Sequence, residues 1–257
     1  MLPGERRHKI LELLQVNKTI TVKYLCDVLE ASEATIRRDL ATLESEEKLE
    51  RTHGGAMLTG DIVRLNYEES FYQKESKFAT QKRAIANKAF EFLEENDSII
   101  LDAGTTIFEL ARLIGKSTIK ITVITNSTVI SGEISNNPNV ELIIIGGMVR
   151  LNTLATVGSI PIDTLRRINV TKTFVAANGI TVENGLTTPD FEEAAVKKAM
   201  LLSGVERFLL ADHSKFKNIS MCQIAPVSML DYIITDTQID TNTIEQFEEN
   251  DIKIIQV

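Results

Sequence analysis

Beyond Asn96, short aliphatic runs alternate with stretches of helical periodicity, and this alternation constrains the fold more than any other feature of the chain. Aliphatic runs bounded by turn residues are typical of strands buried on both faces, with helices crossing between them. The repetition predicts an α/β domain with a mainly parallel sheet. The predicted strands are Ser98–Leu101, Ile119–Thr125, Val140–Ile145, Lys172–Ala177, Phe208–Ala211, Tyr232–Thr235 and Ile252–Val257. The predicted helices are Thr106–Ile114, Thr128–Ser135, Phe191–Leu202 and Asn242–Glu249.

Polar residues and glycines follow these strands at their carboxyl ends, the edge of a parallel sheet where ligands bind. Thr105 and Thr106 open a helix directly after Gly104, and hydroxyls together with free N–H groups at a helix start can hold a phosphate. Each residue alone is better explained as a cap or a turn, but recurrence at successive strand ends favours a binding site. The candidate ligand-binding residues are Asp102, Gly104, Thr105, Thr106, Thr125, Asn126, Gly146, Gly147, Asn178 and Lys215.

The stretch from Ser32 to Leu43 predicts a helix with two different faces. Ser32 is a suitable N-cap, and Ile36, Leu40 and Leu43 form one apolar stripe. Hydroxyls and guanidiniums off that stripe suit contacts with DNA phosphates and guanine edges. A solvated amphipathic helix would carry the same pattern. The candidate DNA contacts on this helix are Ser32, Thr35, Arg37 and Arg38.

Two further helices are predicted before this stretch, and they favour the DNA-binding interpretation. The first spans Gly4–Gln15, and the second is capped by Thr19 or Thr21 and ends at Glu30. Only Ala31 separates the second helix from the cap of the third, and so tight a corner is typical of a helix-turn-helix.

A short hairpin is predicted after the third helix, between Leu49 and Ala56. The Gly54-Gly55 pair supplies the turn, and Arg51 and His53 are the candidate DNA contacts of this wing.

The run Ile36-Arg37-Arg38-Asp39-Leu40, followed by Arg51-Thr52-His53-Gly54-Gly55-Ala56, resembles the N-terminal winged helix-turn-helix of the DeoR family of bacterial sugar-metabolism repressors. Glu46-Glu47-Lys48 departs from that pattern, because the family usually has a glycine or similar turn residue before the wing. The shape of this corner therefore stays open.

The resemblance continues through the α/β region and implies the fold of ribose-5-phosphate isomerase and glucosamine-6-phosphate deaminase. It also implies a phosphorylated sugar effector that alters DNA affinity. The Asn178-Gly179 pair is most similar to regulators of fructose operons, which makes fructose 1-phosphate the first expected effector. The other segments that resemble the DeoR sensor domain are Leu101–Thr106, Thr125-Asn126, Gly146-Gly147, Gly185–Pro189, Glu193, Val196-Lys197 and Leu210–Phe216.

A sugar-phosphate isomerase is the alternative interpretation. Such an enzyme needs a carboxylate base near the reacting carbon, and the candidates are Asp190, Glu192, Glu193 and Asp212. Asp190 and Glu193 have the spacing of a capping box at a helix start. Asn178, where the resemblance leads one to expect an Asp, cannot serve as an acid or base. We therefore expect no catalytic residues.

The predicted organisation is a DNA-binding domain at residues 1–58, a linker at 59–78 and a sensor domain at 79–257. Phe71 and Phe78 are expected to dock onto one of the domains, and a helix is predicted from Thr80 to Glu95. Residues 1–58 hold nine basic and ten acidic residues, and the whole chain has a net charge of −8. Without a basic excess, specific DNA binding would depend on a dimer or tetramer that joins two reading heads.

The composition indicates a soluble protein. No apolar run approaches the roughly 18 residues that a membrane span requires, and the first residues do not form a signal peptide. We expect a cytoplasmic protein with no membrane partner. Cys26 and Cys222 are expected to be reduced core residues, and with three scattered histidines they predict no metal site and no cofactor.

Overall fold

The structure is a computed structural model, which describes residues 2–17, 19–46, 48–52, 54–57, 65 and 68–257. The chain forms two compact units, Met1–Val63 and Arg64–Val257. The first has one hydrophobic core, and the second has two, one on each face of its main sheet. No helix in the described residues is long and apolar enough to cross a membrane.

The described part of the first unit combines three helices with a small antiparallel sheet, as predicted for a winged helix-turn-helix. Thr21 caps the second helix by accepting the Tyr24 N–H at 3.1 Å, and Ser32 caps the third. The sheet order is β1-β3-β2. The elements are α1 (Pro3–Asn17), β1 (Thr19–Thr21), α2 (Val22–Leu29), α3 (Glu33–Ser45), β2 (Glu50–Thr52) and β3 (Gly55–Met57).

The predicted apolar stripe of α3 forms the centre of this unit. Ile36, Leu40 and Leu43 are all buried, and α1 adds Ile10 and Leu14 to the same cluster. A partly buried ion pair also joins the two helices, with 2.5 Å between Arg6 Nε and Asp39 Oδ2.

The wing is confirmed as a hairpin in which Thr52 of β2 pairs with Gly55 of β3. β3 also pairs with β1, so that Gly55 lies opposite Thr21. A Cβ atom at Gly55 would lie 1.9 Å from the carbonyl oxygen of Ile20. Only glycine therefore lets β3 approach β1 this closely.

The second unit is built on a seven-stranded sheet of order β15-β14-β12-β9-β4-β5-β6, in which every neighbouring pair is parallel. This confirms the predicted α/β fold. Its helices are α4 (Phe71–Glu75), α5 (Ala79–Phe90), α6 (Thr105–Lys116), α7 (Thr128–Ile134), α8 (Ser159–Leu165), α9 (Phe191–Ser203) and α10 (Thr241–Glu248). Its strands are β4 (Ser98–Leu101), β5 (Ile121–Thr125), β6 (Val140–Ile144), β7 (Met148–Arg150), β8 (Ala155–Val157), β9 (Val170–Val175), β10 (Gly179–Thr181), β11 (Gly185–Thr188), β12 (Gly204–Leu210), β13 (Cys222–Ala225), β14 (Tyr232–Thr235) and β15 (Lys253–Gln256).

Helices cover both faces of this sheet. α5, α6 and α7 pack on one face, where Ile85, Phe108 and Ile130 are buried. α8, α9 and α10 cover the other face around Leu165 and Met200.

Several predicted boundaries are wrong. The helix expected to reach Glu95 ends at Phe90, because Asp97 Oδ2 accepts the Glu94 N–H at 2.9 Å and fixes a turn there. β9 begins at Val170, where it pairs with Gly204 at the start of β12. The hairpin β7–β8, the helix α8 and a second antiparallel sheet of order β10-β11-β13 were not predicted.

Residues 68–78, which the sequence placed in the linker, belong to the second unit and are called the lead segment below. Phe71 is buried, with its ring 5.6 Å from that of Phe108. Phe78 is 39% exposed and lies edge-on to His213, with 4.9 Å between the ring centroids. Both aromatic rings therefore dock onto the second unit.

Candidate functional site

The first half of α3 presents two arginines to solvent. Arg37 pairs with Glu33 one turn earlier, with 2.7 Å between Nη2 and Oε1, and both side chains are largely exposed. Exposed pairs at this spacing contribute only about 0.3–0.5 kcal/mol, so Arg37 can change partner at little cost. The exposed guanidinium of Arg38 has no ion-pair partner in the part of the chain that the structure describes.

The two predicted hydroxyls lie at the start of the same helix. The Thr35 N–H donates to Ser32 Oγ at 3.3 Å, and the two side-chain oxygens are 2.8 Å apart. Ser32, Thr35, Arg37 and Arg38 therefore share the N-terminal half of α3. Its positive dipole end adds to an attraction for phosphate.

The predicted wing contact Arg51 lies apart from these four residues. Its guanidinium Nη1 is 3.6 Å from Glu44 Oε2 near the C-terminal end of α3, and its backbone N–H donates to Glu44 Oε1 at 3.1 Å. His53, the other predicted wing contact, lies outside the described residues.

An open pocket lies at the carboxyl ends of β4, β9 and β12. This is the edge where parallel sheets bind ligands. Half of the ten predicted ligand-binding residues line it. Those residues are Gly104, Thr105, Thr106, Asn178 and Lys215.

The start of α6 forms one wall of this pocket. Gly104 is the N-cap, and no side chain caps the helix there. A Cβ at this position would lie 2.5 Å from that of Ala176, so the close approach of the two loops needs glycine. Thr105, Thr106 and the uncapped helix start thus line the cavity, an arrangement that suits an anion.

Asp102, also predicted to bind ligand, lies behind the pocket wall with 1% of its surface exposed. Its carboxylate contacts the Lys197 ammonium and accepts the Ala176 N–H at 2.9 Å. Burial acts to lower the pKa of Lys197, but attraction by Asp102 and Glu193 outweighs it and raises that pKa. Asp102 therefore positions a charged lysine that does line the pocket.

Glu193 lines the pocket from the first turn of α9. Asp190 caps this helix by accepting the Glu193 N–H at 2.9 Å, as predicted. A capping box also needs the Glu193 carboxylate to accept the backbone N–H of Asp190. That part of the prediction is wrong, because the carboxylate contacts Thr153 and, at 3.2 Å, Arg150. Burial raises the pKa of Glu193, and the nearby Lys197 opposes that rise.

The remaining predicted residues do not line the pocket. The Thr125 hydroxyl donates to the Leu101 carbonyl at 2.7 Å, and Asn126 Nδ2 donates to the Thr156 carbonyl at 3.0 Å. These polar groups secure loops after β5 instead of facing the cavity. Gly146 and Gly147 are exposed after β6, the strand at the edge of the sheet. The cavity is therefore narrower than the predicted crevice, because it lies over β4, β9 and β12 only.

Sequence reasoning missed the pocket residues that come from outside the α/β repeats. Glu68, Phe71 and Lys74 of the lead segment line the cavity, as does Thr153 between β7 and β8. No spacing or motif in the sequence marks these positions, because they reach the pocket only through tertiary packing.

Comparison with known proteins identifies both units. Residues 6–60 match the DeoR-like helix-turn-helix domain, and residues 77–237 match the DeoR C terminal sensor domain. The chain belongs to the DeoR family. This DeoR-family chain is 37% identical to the HTH-type transcriptional regulator GlpR of Haloferax volcanii over 99% of the chain and 98% of that protein. It is also 37% identical to the lactose phosphotransferase system repressor of Lactococcus lactis, over 95% of each.

Among solved structures, ribose 5-phosphate isomerase A from Methanocaldococcus jannaschii is similar to this DeoR-family chain over 54% of each chain. The sequence identity is 16% and the TM-score is 0.41.

Proposed function

We propose that this DeoR-family transcriptional regulator represses a sugar-utilisation operon and that a phosphorylated sugar in the sensor pocket controls its affinity for operator DNA. The observation that carries the proposal is the convergence of Lys74, Lys197 and Lys215 on a cavity that also contains the uncapped start of α6. Three ammonium groups beside a helix N-terminus favour a phosphate-bearing ligand.

The exposed face of α3 supports operator binding. The Arg38 guanidinium has no ion-pair partner among the described residues, and Arg37 is only weakly held. Both can take phosphate oxygens or guanine edges without losing a strong interaction within that part of the chain. Because the first unit carries no excess of basic residues, non-specific attraction to DNA is small. Two copies on paired half-sites, in a dimer or a tetramer, supply the remaining affinity.

The rest of the pocket supports a sugar as the body of the ligand. The Asn178 amide and the Glu193 carboxylate offer a donor and an acceptor for sugar hydroxyls on the lining of the same cavity. We propose fructose 1-phosphate as the first effector to test, because the Asn178-Gly179 pair resembles regulators of fructose operons. The name of the lactose phosphotransferase system repressor also connects a relative with sugar uptake.

The mechanism that we propose is a population shift. The ligand binds one arrangement of the pocket loops more tightly and thereby changes which arrangement of paired reading heads dominates. Such a regulator works in the cytoplasm, where the DNA and the metabolite are both present.

The isomerase alternative has weaker support. Of the four carboxylates that the sequence offered as bases, only Glu193 lines the pocket, and its carboxylate already contacts Thr153 and Arg150. Asp212 is buried, with Oδ1 accepting the Ser214 N–H at 3.1 Å. The test is incubation of the purified protein with fructose 1-phosphate, glucosamine 6-phosphate and ribose 5-phosphate. We expect no turnover, and conversion of any of the three would overturn the non-enzymatic assignment.

Two linked measurements test the proposed function. The first is a thermal-shift screen of phosphorylated sugars against their unphosphorylated parents, because a ligand that binds the native state raises its melting temperature. The second is selection of binding sites from a randomised duplex library, followed by titration of the selected DNA with and without the stabilising sugar phosphate. A sugar phosphate that stabilises the protein and changes its DNA affinity is expected. The proposal would be contradicted if only the unphosphorylated sugars stabilised the protein, or if no DNA sequence were enriched from the library.

A further inference from the structure

Strand β6 is the last strand of the seven-stranded sheet, and its outer side meets none of the other strands that the structure describes. The Ile145 N–H, just after β6, donates to the Thr125 carbonyl of β5 at 2.8 Å. Because backbone groups alternate between the two sides of a strand, those of Leu142 and Ile144 point away from β5. Their N–H and C=O groups form an open hydrogen-bonding edge.

The side chains along this edge are apolar. Ile143 and Ile144 are 45% and 55% exposed, and farther along the chain Met148 and Leu151 are 69% and 83% exposed. The stretch from Leu142 to Val149 contains no charged residue, although the whole chain has a net charge of −8. Exposed apolar surface of this kind is typical of a contact with another macromolecule.

The charged residues on either side of this stretch are occupied within the chain. The Glu141 carboxylate accepts the Thr122 hydroxyl of β5 at 3.2 Å, which holds it over its own sheet. Arg150 Nε lies 3.2 Å from Asp190 Oδ2. Outward-pointing charges commonly protect the edges of sheets from pairing, and these two residues are not placed to do so.

The opposite edge of the same sheet is different. At β15, the first and last residues, Lys253 and Gln256, are exposed and polar, while Ile254 and Ile255 between them are half-buried. A short strand with an exposed lysine is a common way to prevent edge pairing. Of the two edges of this sheet, β6 is therefore the one suited to accept another strand.

The occupant that fits the β6 edge is a second copy of this chain. Two identical strands that pair antiparallel are related by a two-fold axis, so one surface serves both copies and the assembly closes at two. A neutral stretch also lets two copies with the same net negative charge meet without bringing like charges together. A strongly charged partner would find no opposite charge along this edge.

One register satisfies both the backbone and the side chains. With the two-fold axis at Leu142, Val140 lies opposite the second copy's Ile144, and Glu141 lies opposite the second copy's Ile143. The outward backbone groups of Leu142 and Ile144 then fall at hydrogen-bonded positions of the antiparallel ladder. The two Glu141 carboxylates do not face each other in this register.

We propose that two copies of the chain associate through antiparallel pairing of their β6 strands, which joins the two seven-stranded sheets into one continuous sheet. Met148 and Leu151 extend the apolar surface beside the paired strands, toward the roughly 1,200–2,000 Å² that stable interfaces bury. This inference rests on the proposed function for the need of two copies and deepens it, because paired half-sites share the same two-fold symmetry.

The test is sedimentation equilibrium of the full-length protein over a wide range of concentrations. The wild type should be a dimer or a larger even-numbered assembly. Ile143→Lys should weaken association about 100-fold or more, because it brings a charge into an apolar contact from each copy. Ile144→Pro should weaken it about 10- to 100-fold, because it removes an outward N–H twice, and proline is tolerated on edge strands. Ile144→Val keeps the N–H and should associate as the wild type does.

Leu202→Lys is the matched control, because Leu202 is a 63% exposed leucine on α9, outside the β6 edge. It should leave association unchanged. Thermal unfolding checks that every variant is folded. Hydrogen exchange of the wild type gives a readout that needs no substitution, since the amides of Leu142 and Ile144 should be protected at high protein concentration and should lose that protection on dilution.

Two results would overturn β6 pairing. One is a wild type that stays monomeric at every concentration. The other is an assembly that survives Ile143→Lys and Ile144→Pro, above all if Leu202→Lys dissociates it. A protein of either kind that still selects DNA and responds to a sugar phosphate would leave the proposed function standing. A dimer that the β6 variants dissociate, but that enriches no DNA and binds no sugar phosphate, would refute the proposed function and support β6 pairing.

Discussion

The Lys197 ammonium and the Asp102 carboxylate form a buried ion pair behind the wall of the sensor pocket, with 7% and 1% of their side chains exposed. The pair joins α9 to the loop after β4, and Lys197 also donates to the Ala176 carbonyl at 3.2 Å. One helix and two loops that border the cavity are thus connected through one lysine. This arrangement supplies the pocket with a fixed positive charge.

Replacing Lys197 by Met should destabilise the second unit by about 3–5 kcal/mol, because it leaves the Asp102 charge buried without its cation. Urea unfolding gives the loss, and the exposed neighbour Lys198→Met serves as control, with a change expected within about 0.5 kcal/mol. The double variant Lys197→Met with Asp102→Asn should recover part of the stability. An unchanged unfolding midpoint in the single variant would show that the pair is not structural.

Arg38→Ala should weaken binding to the selected operator DNA by about 1–3 kcal/mol if the side chain reads a base. Effector affinity should stay unchanged, because Arg38 lies in the first unit. Gel retardation or fluorescence anisotropy measures the loss, and Arg166→Ala, on an exposed position of the second unit, is the control. Wild-type operator affinity in Arg38→Ala would remove the assignment of α3 as the reading helix.

Lys215→Ala should weaken the response to sugar phosphate and leave DNA binding without ligand intact. Lys215 lines the pocket from the 3₁₀ turn His213–Lys215, and loss of a charge-assisted hydrogen bond corresponds to about 1.5–3 kcal/mol. Calorimetry with the best sugar phosphate from the thermal-shift screen measures the change. Equal affinity for wild type and variant would place the phosphate elsewhere in the cavity.

Lys82 should make the stability of the second unit rise with pH in the alkaline range. Burial lowers the pKa of Lys82 to about 8, and attraction by Asp212 only partly opposes the shift. Between this value and the ordinary pKa of about 10.4, the unfolded chain binds more protons than the folded one, so raising the pH favours folding. Below about pH 8, Lys82 is charged in both the folded and the unfolded chain. The cost of burying that charge then lowers the free energy of unfolding by its full amount.

Urea unfolding at about pH 7 and about pH 10 checks this linkage. The wild type should gain stability relative to Lys82→Met over that interval, by an amount on the order of 1.4 kcal/mol for each pKa unit of the shift. The comparison between the two proteins cancels the titration of the other lysines and tyrosines. A constant difference at both pH values would contradict the lowered pKa.

Gly104→Ala should disturb both stability and effector binding. The new Cβ would lie 2.5 Å from that of Ala176, and forced overpacking of this kind costs about 1–3 kcal/mol. Gly132→Ala is the matched control, because Gly132 lies within α7 and a Cβ there meets nothing within 4 Å. In a helix that substitution should stabilise by about 0.5–1 kcal/mol. Similar effects of the two substitutions would show that the loop at Gly104 adapts freely.

The sequence predicted the parts of the fold that follow from local rules. The cap at Ser32 and the buried stripe of Ile36, Leu40 and Leu43 depend on neighbours within a few turns, and all are confirmed. The parallel sheet is equally local in origin, because each aliphatic run and each following helix carries its own pattern.

The features that the sequence missed depend on distant pairings. The β10-β11-β13 sheet joins Gly179–Thr188 to Cys222–Ala225, two segments that α9 and β12 separate along the chain. The contact between Arg150 and Glu68 spans a separation of 82 residues. Neither leaves a periodic signal, so the lining of the pocket by Lys74 and Glu68 could not be read from spacing. For the same reason Thr125 and Asn126, which have suitable chemistry after β5, were expected in a cavity that they do not line.

Because Gly55 has no side chain, β3 can pair closely with β1, and this pairing connects the wing to the rest of the first unit. Because β3 is hydrogen-bonded to both β2 and β1, and β1 runs directly into α2, the hairpin cannot swing independently of the helices. The same sheet connects Arg51 of β2 to α2, the helix that precedes α3 with Arg37 and Arg38. The wing and the helices are therefore expected to move together. Under the proposed function, a bound sugar phosphate would change DNA affinity by reorienting whole winged units, without unfolding the wing of either one.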